Sequence, residues 1–430
     1  MRAWAILPVL CLTASCAGLL HSRPHEFACG SLLDGQVIED HAVDPVTLAI
    51  HGDAGGDDPD PARIVEAGPL AARDASFSPL IAEALRRPGL TEAGPVRMLL
   101  LSGGGQWGAF GAGFLSTLYP RPGAKPYDLI TGVSTGAIQG LFAANGDWPR
   151  MRTEYRIKRQ DDIARDKGDL GLVTMGASYD TAPLRRRLHE YLCGTDHCER
   201  LRALAADGRP TLFVGTVRAA DGELRIANLT KLVAQGLTRA APETIEPCVT
   251  GLVMASAAVP AQLRPVRIDG ATYVDGGVRA SVFAGVTART LAESAKSQPA
   301  VALDVIRNGP TIVFRNRDPD DPQGPAPVDR DPTVLAVGRQ SYATIVNQTE
   351  VASIALLRLL YPEGDIRVMT ADGFYREQRC VRPDDRAFDP TFMACLVDWG
   401  ERKAAGGAPA WIVLHKNLAR TLAGAPDAVP

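Results

Sequence analysis

The sequence predicts an α/β fold in which a mostly parallel central sheet is covered by helices on both faces. Three observations predict it. Short apolar runs of strand length, such as residues 98–101 and 301–307, alternate with longer helix-like segments along most of the chain, and that alternation builds parallel sheets whose crossovers lie on the faces. Two of the strand-to-helix passages run through glycine-rich turns, at residues 103–108 and 132–136. The 430 residues are 46% hydrophobic and 22% charged, ordinary globular values for one large domain with additions or for two domains.

At the front, Arg2 precedes an apolar stretch over residues 4–14, too short to span a bilayer as a helix, and then Leu12-Thr13-Ala14-Ser15-Cys16. Small residues ahead of a cysteine are similar to a bacterial lipobox, here with the leucine one position early. Ordinary cleavage after Ala17, with Ser15 and Ala17 as the small pair, is the alternative. The expectation is an exported protein with residues 1–16 as signal peptide and Cys16 as the lipidated residue. It would sit in the bacterial cell envelope, anchored to a membrane and facing the periplasm or the outside, or otherwise be secreted. Residues 17–95 read as an N-terminal extension lying against the core, loop-like from His51 and with a hint of helix over 79–86.

Residues 96–310 hold the main units. A strand over 98–101 leads through Ser102 into Gly103, Gly104, Gly105, Gln106, Trp107 and Gly108, then into an apolar helix that Pro120 stops. Bare N–H groups at that helix start favour negative charge. A second strand, over 127–130, leads through Gly132-Val133-Ser134-Thr135-Gly136 into a helix over 137–144; a serine between two such glycines has the nucleophile-elbow pattern. Further on, 150–206 is helix-rich and charged, 211–217 and 224–229 form a hairpin, and 244–258 is helical. Strands follow at 266–268 and 272–274, the second ending at Asp275-Gly276-Gly277, then a helix over 282–295. Residues 311–333 form a Pro/Asp-rich loop that sustains neither helix nor central strand. The part from 334 to 430 reads as a helical addition packed on the core, with helices over 335–360, 391–403 and 411–420 and a strand over 365–369.

Each motif has competitors when taken alone. The glycine loop fits a dinucleotide fingerprint, which wants an acidic residue closing the second strand roughly 20 residues on; Asp128 opens that strand instead. A chain with 42 glycines produces chance G-x-S-x-G matches, and Asp-Gly is a common turn. Taken together and in this order, the three motifs resemble the patatin-like phospholipase family, over roughly residues 95–310. The resemblance implies a patatin-like three-layer α/β/α sandwich and a serine hydrolase cleaving acyl esters of lipids, in the manner of a phospholipase A or a lysophospholipase. It implies Ser134 as nucleophile, Asp275 as base and the 103–108 loop as oxyanion hole, with no metal and no cofactor. The stretch Ala255-Ser256-Ala257-Ala258-Val259-Pro260 resembles the family's segment ahead of the aspartate. One departure stands out: Trp107 occupies the position where the family usually carries Lys or Arg. Trp107, Phe110 and Phe114 are candidates either for an acyl pocket or for core.

The partners implied are a lipid or phospholipid ester and a membrane surface. A net charge of −3 gives no reason to expect nucleic acid, and Arg185, Arg186 and Arg187 read as a solvated helix face. A rival triad enzyme of the α/β-hydrolase type would need a histidine after Asp275, and only His415 qualifies. A catalytically idle, membrane-tethered interaction protein on the same fold is the remaining alternative. Beyond Cys16, the cysteines Cys29, Cys193, Cys198, Cys248, Cys380 and Cys395 suit an oxidising compartment. Cys193 with Cys198, and Cys380 with Cys395, are close enough in sequence to close disulfides. Cys193, His197 and Cys198 admit a metal reading, for which the second pair of ligands is missing.

Overall fold

The computed structural model describes residues 23–34, 37–40, 95–119, 121, 126–194, 197–284, 300–311, 333–361, 363–383, 386–406 and 411–416. The expected signal peptide with Cys16, most of the 17–95 extension, the interior of the 311–333 loop and most of the helix expected over 282–295 lie outside them.

In chain order the strands and helices are β1 (His25–Phe27), β2 (Val37–Asp40), β3 (Val96–Leu101), α1 (Gly108–Leu118), β4 (Leu129–Val133), α2 (Thr135–Asn145), α3 (Trp148–Tyr155), β5 (Arg165–Asp166), α4 (Gly168–Met175), β6 (Ala177–Asp180), α5 (Ala182–Cys193) and α6 (Glu199–Ala203). There follow β7 (Thr211–Arg218), β8 (Leu224–Asn228), α7 (Leu229–Leu237), α8 (Pro242–Ser256), β9 (Ala261–Leu263), β10 (Val266–Ile268), β11 (Ala271–Asp275), β12 (Val301–Ile306), α9 (Val334–Leu360), β13 (Asp365–Met369), α10 (Pro390–Ala405) and β14 (Ile412–Val413). Among the described residues, eleven strands form one sheet in the order β1-β10-β11-β7-β4-β3-β12-β13-β14, with β8 on β7 and β2 on β8.

The five strands β7, β4, β3, β12 and β13 are parallel neighbours, and antiparallel strands are confined to the flanks. Sequence explains why these five are central. β3 reads Val-Arg-Met-Leu-Leu-Leu with its last four residues buried, and β4 is buried throughout, the pattern of a strand covered on both faces. One apolar cluster lies under α1, α2, α8 and α10, and a second lies on the other face around Met98, Leu100, Phe213, Val305 and Tyr361. The mixed α/β architecture with its mostly parallel central sheet is therefore the one expected from the alternation of strands and helices.

Three local expectations need correction. The second strand runs over Leu129–Val133 rather than 127–130, because pairing with β3 and β7 continues to Gly132 and Val133. The helix expected over 411–420 is not one at its start. Ile412 and Val413 pair antiparallel with β13 as an edge strand, which suits two β-branched residues. Residues 282–284 are not helical. All three cysteine pairs are disulfides: Cys29–Cys248, Cys193–Cys198 and Cys380–Cys395. Bonding Cys193 to Cys198 displaces the metal reading of that loop. Among the described residues, no helix is long and apolar enough to cross a membrane.

Candidate active site

Strand register places the candidate residues before any side chain is considered. Leu101 of β3 pairs with Gly132 of β4, Val133 with Gly215 of β7, and Asp275 of β11 with Thr216 of β7. Gly103 and Ser134 follow the carboxyl ends of the parallel strands β3 and β4, and Asp275 closes the antiparallel β11 beside β7, so all three border one cavity. Ligand sites of open α/β sheets form at those carboxyl ends.

At Ser134 the chain leaves β4 for α2 with φ 56° and ψ −125°. A non-glycine residue holds such a state at a strain of about 1–3 kcal/mol, and only where its surroundings impose it. Here the Ser134 N–H donates to Ser256 Oγ (2.9 Å), and the Ser256 hydroxyl donates to the Gly215 carbonyl (2.6 Å). The turn is tight enough to need Gly136, where a Cβ would lie 2.2 Å from the Leu101 carbonyl oxygen. Gly132 packs against the Gly136 backbone from within β4.

Asp275 ends β11 and is 3% exposed, against 5% for Ser134. Its Oδ1 accepts the Gly277 N–H (2.7 Å), its own N–H donates to the Ala258 carbonyl (2.9 Å), and Gly276 follows it with its Cα against the Gly215 carbonyl. The Ser134 side chain is one of the groups acting on the carboxylate. Burial pushes the Asp275 carboxyl up to about 6, against the opposing pull of Ser134 and Gly277.

The glycine loop narrows the set of oxyanion donors. Gly103 N–H donates to Ser281 Oγ (3.2 Å) and Trp107 N–H to the Gly104 carbonyl (3.1 Å), while Gly108 N–H turns to the carbonyls of Gly105 and Gln106. Among the described residues, the N–H groups of Gly104, Gly105 and Gln106 have no protein acceptor. Three of the six N–H groups in the loop are thus engaged, one by the Ser281 hydroxyl and two by carbonyls of the turn itself. Gly104 must be glycine: with φ 145° a Cβ there would fall 2.0 Å from the Asn308 carbonyl oxygen. The Asn308 amide in turn binds the Ser102 carbonyl (2.7 Å) and Gln139 (2.9 Å) beneath the loop.

Trp107 takes no part as a charge. Its ring meets Phe374 and Phe392 edge-on, with centroids 4.9 and 5.0 Å away, and the Arg382 guanidinium lies 5.9 Å from its centroid. Phe110 and Phe114 are fully buried core and do not reach the cavity.

The cavity over Ser134 has a volume of about 400 Å³, within the range of small-ligand sites. Ile138, Phe142, Leu184 and Leu188 line one part, and Gly104, Gly105, Gln106, Asp275 and Gly277 another. A third wall comes from α9 through Tyr342, Val346, Asn347 and Glu350. That helix rests on the Asp275 turn, since Thr349 Oγ1 donates to the Gly277 carbonyl (3.2 Å). Ser256, Ser281, Asn308 and the α9 residues were missed in the sequence. Ser256 alone had a signal there, as the hydroxyl in the small-residue segment ahead of Asp275.

Among the described residues, no histidine lines the cavity. His415 follows β14, four strands from β4 in the sheet order, or roughly 19 Å at the usual strand spacing. His25 contacts Thr181 and His189 contacts Glu246.

No curated protein matches the chain. Among solved structures, the crystal structure of VipD from Legionella pneumophila is similar at 13% identity, covering 71% of this chain and 67% of that one with a TM-score of 0.27. Residues 99–287, which include the Ser134 turn, match the family model described as Patatin-like phospholipase.

Proposed function

We propose that the protein is an exported serine hydrolase that cleaves acyl esters of lipids through a Ser134–Asp275 dyad. The observation that carries the reading is the pairing of a strained, buried serine with a buried carboxylate across from three unengaged backbone N–H groups. Asp275 takes the Ser134 proton as Oγ attacks the ester carbonyl carbon. The carbonyl oxygen gains the negative charge and is held by the N–H groups of Gly104, Gly105 and Gln106. The alkoxide leaving group receives the proton from Asp275, leaving an acyl-serine. Water then repeats the cycle and releases the carboxylic acid. A base at about 6 suits neutral pH better than an ordinary aspartate. No metal or other cofactor has a part in this scheme.

An apolar cavity opening beside the dyad supports an acyl chain as the part of the substrate it holds. The export reading is supported by three disulfides, which persist in oxidising compartments. Lipidation at Cys16 and action at a membrane surface belong to the same proposal, and so does the partition at residues 96, 311 and 334. The test is hydrolysis of a chromogenic acyl-ester series by wild type, Ser134→Ala, Asp275→Asn and His415→Ala. Loss in the first two variants with retention in the third is expected. Loss in His415→Ala points to a triad instead, and a wild type inert toward every ester and phospholipid vesicle points to a non-catalytic interaction protein.

A further inference from the structure

Consecutive glycines make a poor platform for catalysis unless something else holds them. Gly104 and Gly105 adopt φ 145° and 56°, and a Cβ on Gly105 would meet nothing within 4 Å, so the tip of the loop has little packing of its own. Glycine carries more backbone freedom than any other residue, while an oxyanion hole works only when its donors are aligned beforehand. One hold comes from beneath, where Asn308 binds both the hydroxyl and the carbonyl of Ser102. A second comes from residues beyond 370.

Gln106 Oε1 accepts the Asp389 N–H (3.0 Å). Only the oxygen of an amide side chain can accept, so this bond sets the orientation of the amide as well as its place. Asp389 is itself held as the N-cap of α10, where its Oδ1 accepts the Phe392 N–H (2.8 Å). Trp107, the next residue of the loop, is seated edge-on to Phe374 and Phe392. The two walls of that slot are joined to each other. Cys380 N–H donates to the Phe374 carbonyl (3.0 Å), Cys395 lies one turn beyond Phe392 on α10, and the two cysteines are bonded. Phe374, Cys380, Asp389, Phe392 and Cys395 all lie outside residues 99–287, the stretch that matches the family model.

We propose that the Gln106 side chain is a positioning group for the oxyanion hole, clamped by Asp389 of the C-terminal addition. This rests on the acyl-hydrolase reading and adds how the hole is held. Gln106 carries one of the unengaged N–H groups and is also the residue whose side chain is tied, so the tie restrains a donor at its own Cα. Trp107 restrains the other side of that donor, because its ring is buried and cannot leave the slot without being exposed to water. Without the side-chain bond the loop samples other orientations. The transition state, in which the substrate oxygen carries the charge, then loses more than the ground state does. The effect belongs in kcat and not in KM.

The test uses Gln106→Met, which keeps the length and loses the acceptor, and Cys380→Ser/Cys395→Ser, which frees the slot walls at residues that do not line the cavity. On a chromogenic acyl ester, kcat is expected to fall about fivefold in Gln106→Met, the worth of one such hydrogen bond, with KM within about twofold of wild type. Ki for an alkyl trifluoromethyl ketone should rise by the same factor, because its carbonyl carbon bonds to Ser134 Oγ and its oxygen becomes the oxyanion. Kd for an unreactive alkyl methyl ether of the same chain should not move. The cysteine variant, while folded by urea titration, should move kcat and Ki in the same direction. Amide exchange at Trp107 and Gly108, whose N–H groups close the turn, should quicken in both variants. Unchanged kcat and Ki in Gln106→Met overturn the inference. So does a rise in KM and in the ether Kd that accounts for the whole loss, since the side chain then acts on binding alone. A wild type that cleaves no ester and does not take up the ketone removes the hydrolase reading, and exchange then decides on the clamp alone. Quickened exchange in Gln106→Met upholds the clamp, and unchanged exchange overturns it.

Discussion

Ser134 and Asp275 impose opposite demands on the molecule, and the conflict is measurable. The unfolded Asp275 carboxyl ionises near its ordinary 3.8, whereas the buried one does so at about 6. The folded state therefore resists ionisation, and its stability declines as pH rises from 3.8 through 6. Above that window the penalty is on the order of 3 kcal/mol. Asp275→Asn removes it while keeping an acceptor for the Gly277 N–H. At pH 7.5 the variant is expected to lose hydrolysis and to gain about 1–3 kcal/mol of stability in a urea titration. A variant less stable than wild type at that pH would contradict the account of the buried charge. The same shift sets the pH–rate profile. Because the base must be ionised, kcat/KM should fall below pH of about 6 with unit slope, and Asp275→Asn should show no such limb in any residual activity. The turns that carry both residues were legible in the sequence, since each sits in a short motif whose glycines fix the backbone. The loop's free N–H groups were legible only in outline. Which N–H groups a turn leaves free depends on its own internal bonds and on Ser281, which is distant in sequence.

Elements decide what surrounds that pair. Trp107 stands just before α1, where the resembled family usually carries Lys or Arg, and its packing partners lie in the last third of the chain. Phe374 and Phe392 form an aromatic slot that an indole fills, and Asp389 N–H ties the same segment to Gln106 Oε1 (3.0 Å). Trp107→Ala is expected to cost about 3–5 kcal/mol by urea unfolding, as for other buried aromatics cut to alanine. A loss under about 1 kcal/mol would show that the slot collapses without harm. The strand–turn–helix units around Gly104 and Ser134 were readable because local apolar runs and glycines coincide. What α9 covers was not readable. Its apolar period announces a helix, but its seat on the Gly277 turn is made by residues about 70 positions apart in sequence, Thr349 and Val346 against Gly277. Residues 411–413 failed for a related reason. Trp-Ile-Val fits strand or helix locally, and the free edge of β13 decides the matter.

At the scale of the whole molecule, the sheet continues well past its parallel centre, and its far edge is closed by the N-terminal segment. β1 pairs with β10 in parallel, and Cys29, two residues after it, is bonded to Cys248 on α8 across 219 positions. The pairing of Cys29 with Cys248 had no local signature, whereas the other two disulfides close short loops. Joining residues so far apart removes a large share of the unfolded chain's freedom. α8 is also the helix whose final residue, Ser256, holds the Ser134 N–H. The bond therefore couples the rim of the sheet to the serine turn. The double variant Cys29→Ser/Cys248→Ser is expected to lose about 2–5 kcal/mol of stability. Beside the bond, His25 is buried against Thr181 and its ring titrates down at about 4, first through burial and then through the Arg264 guanidinium. Since the unfolded histidine protonates near 6.5, stability is lost as pH falls from 6.5 through 4. Wild type and the double variant should both weaken across that window, and His25→Gln should flatten the slope in each. A slope that His25→Gln leaves intact would place the acid sensitivity elsewhere, and an undiminished urea midpoint in the double variant would show that strand pairing alone holds the N-terminal segment in place.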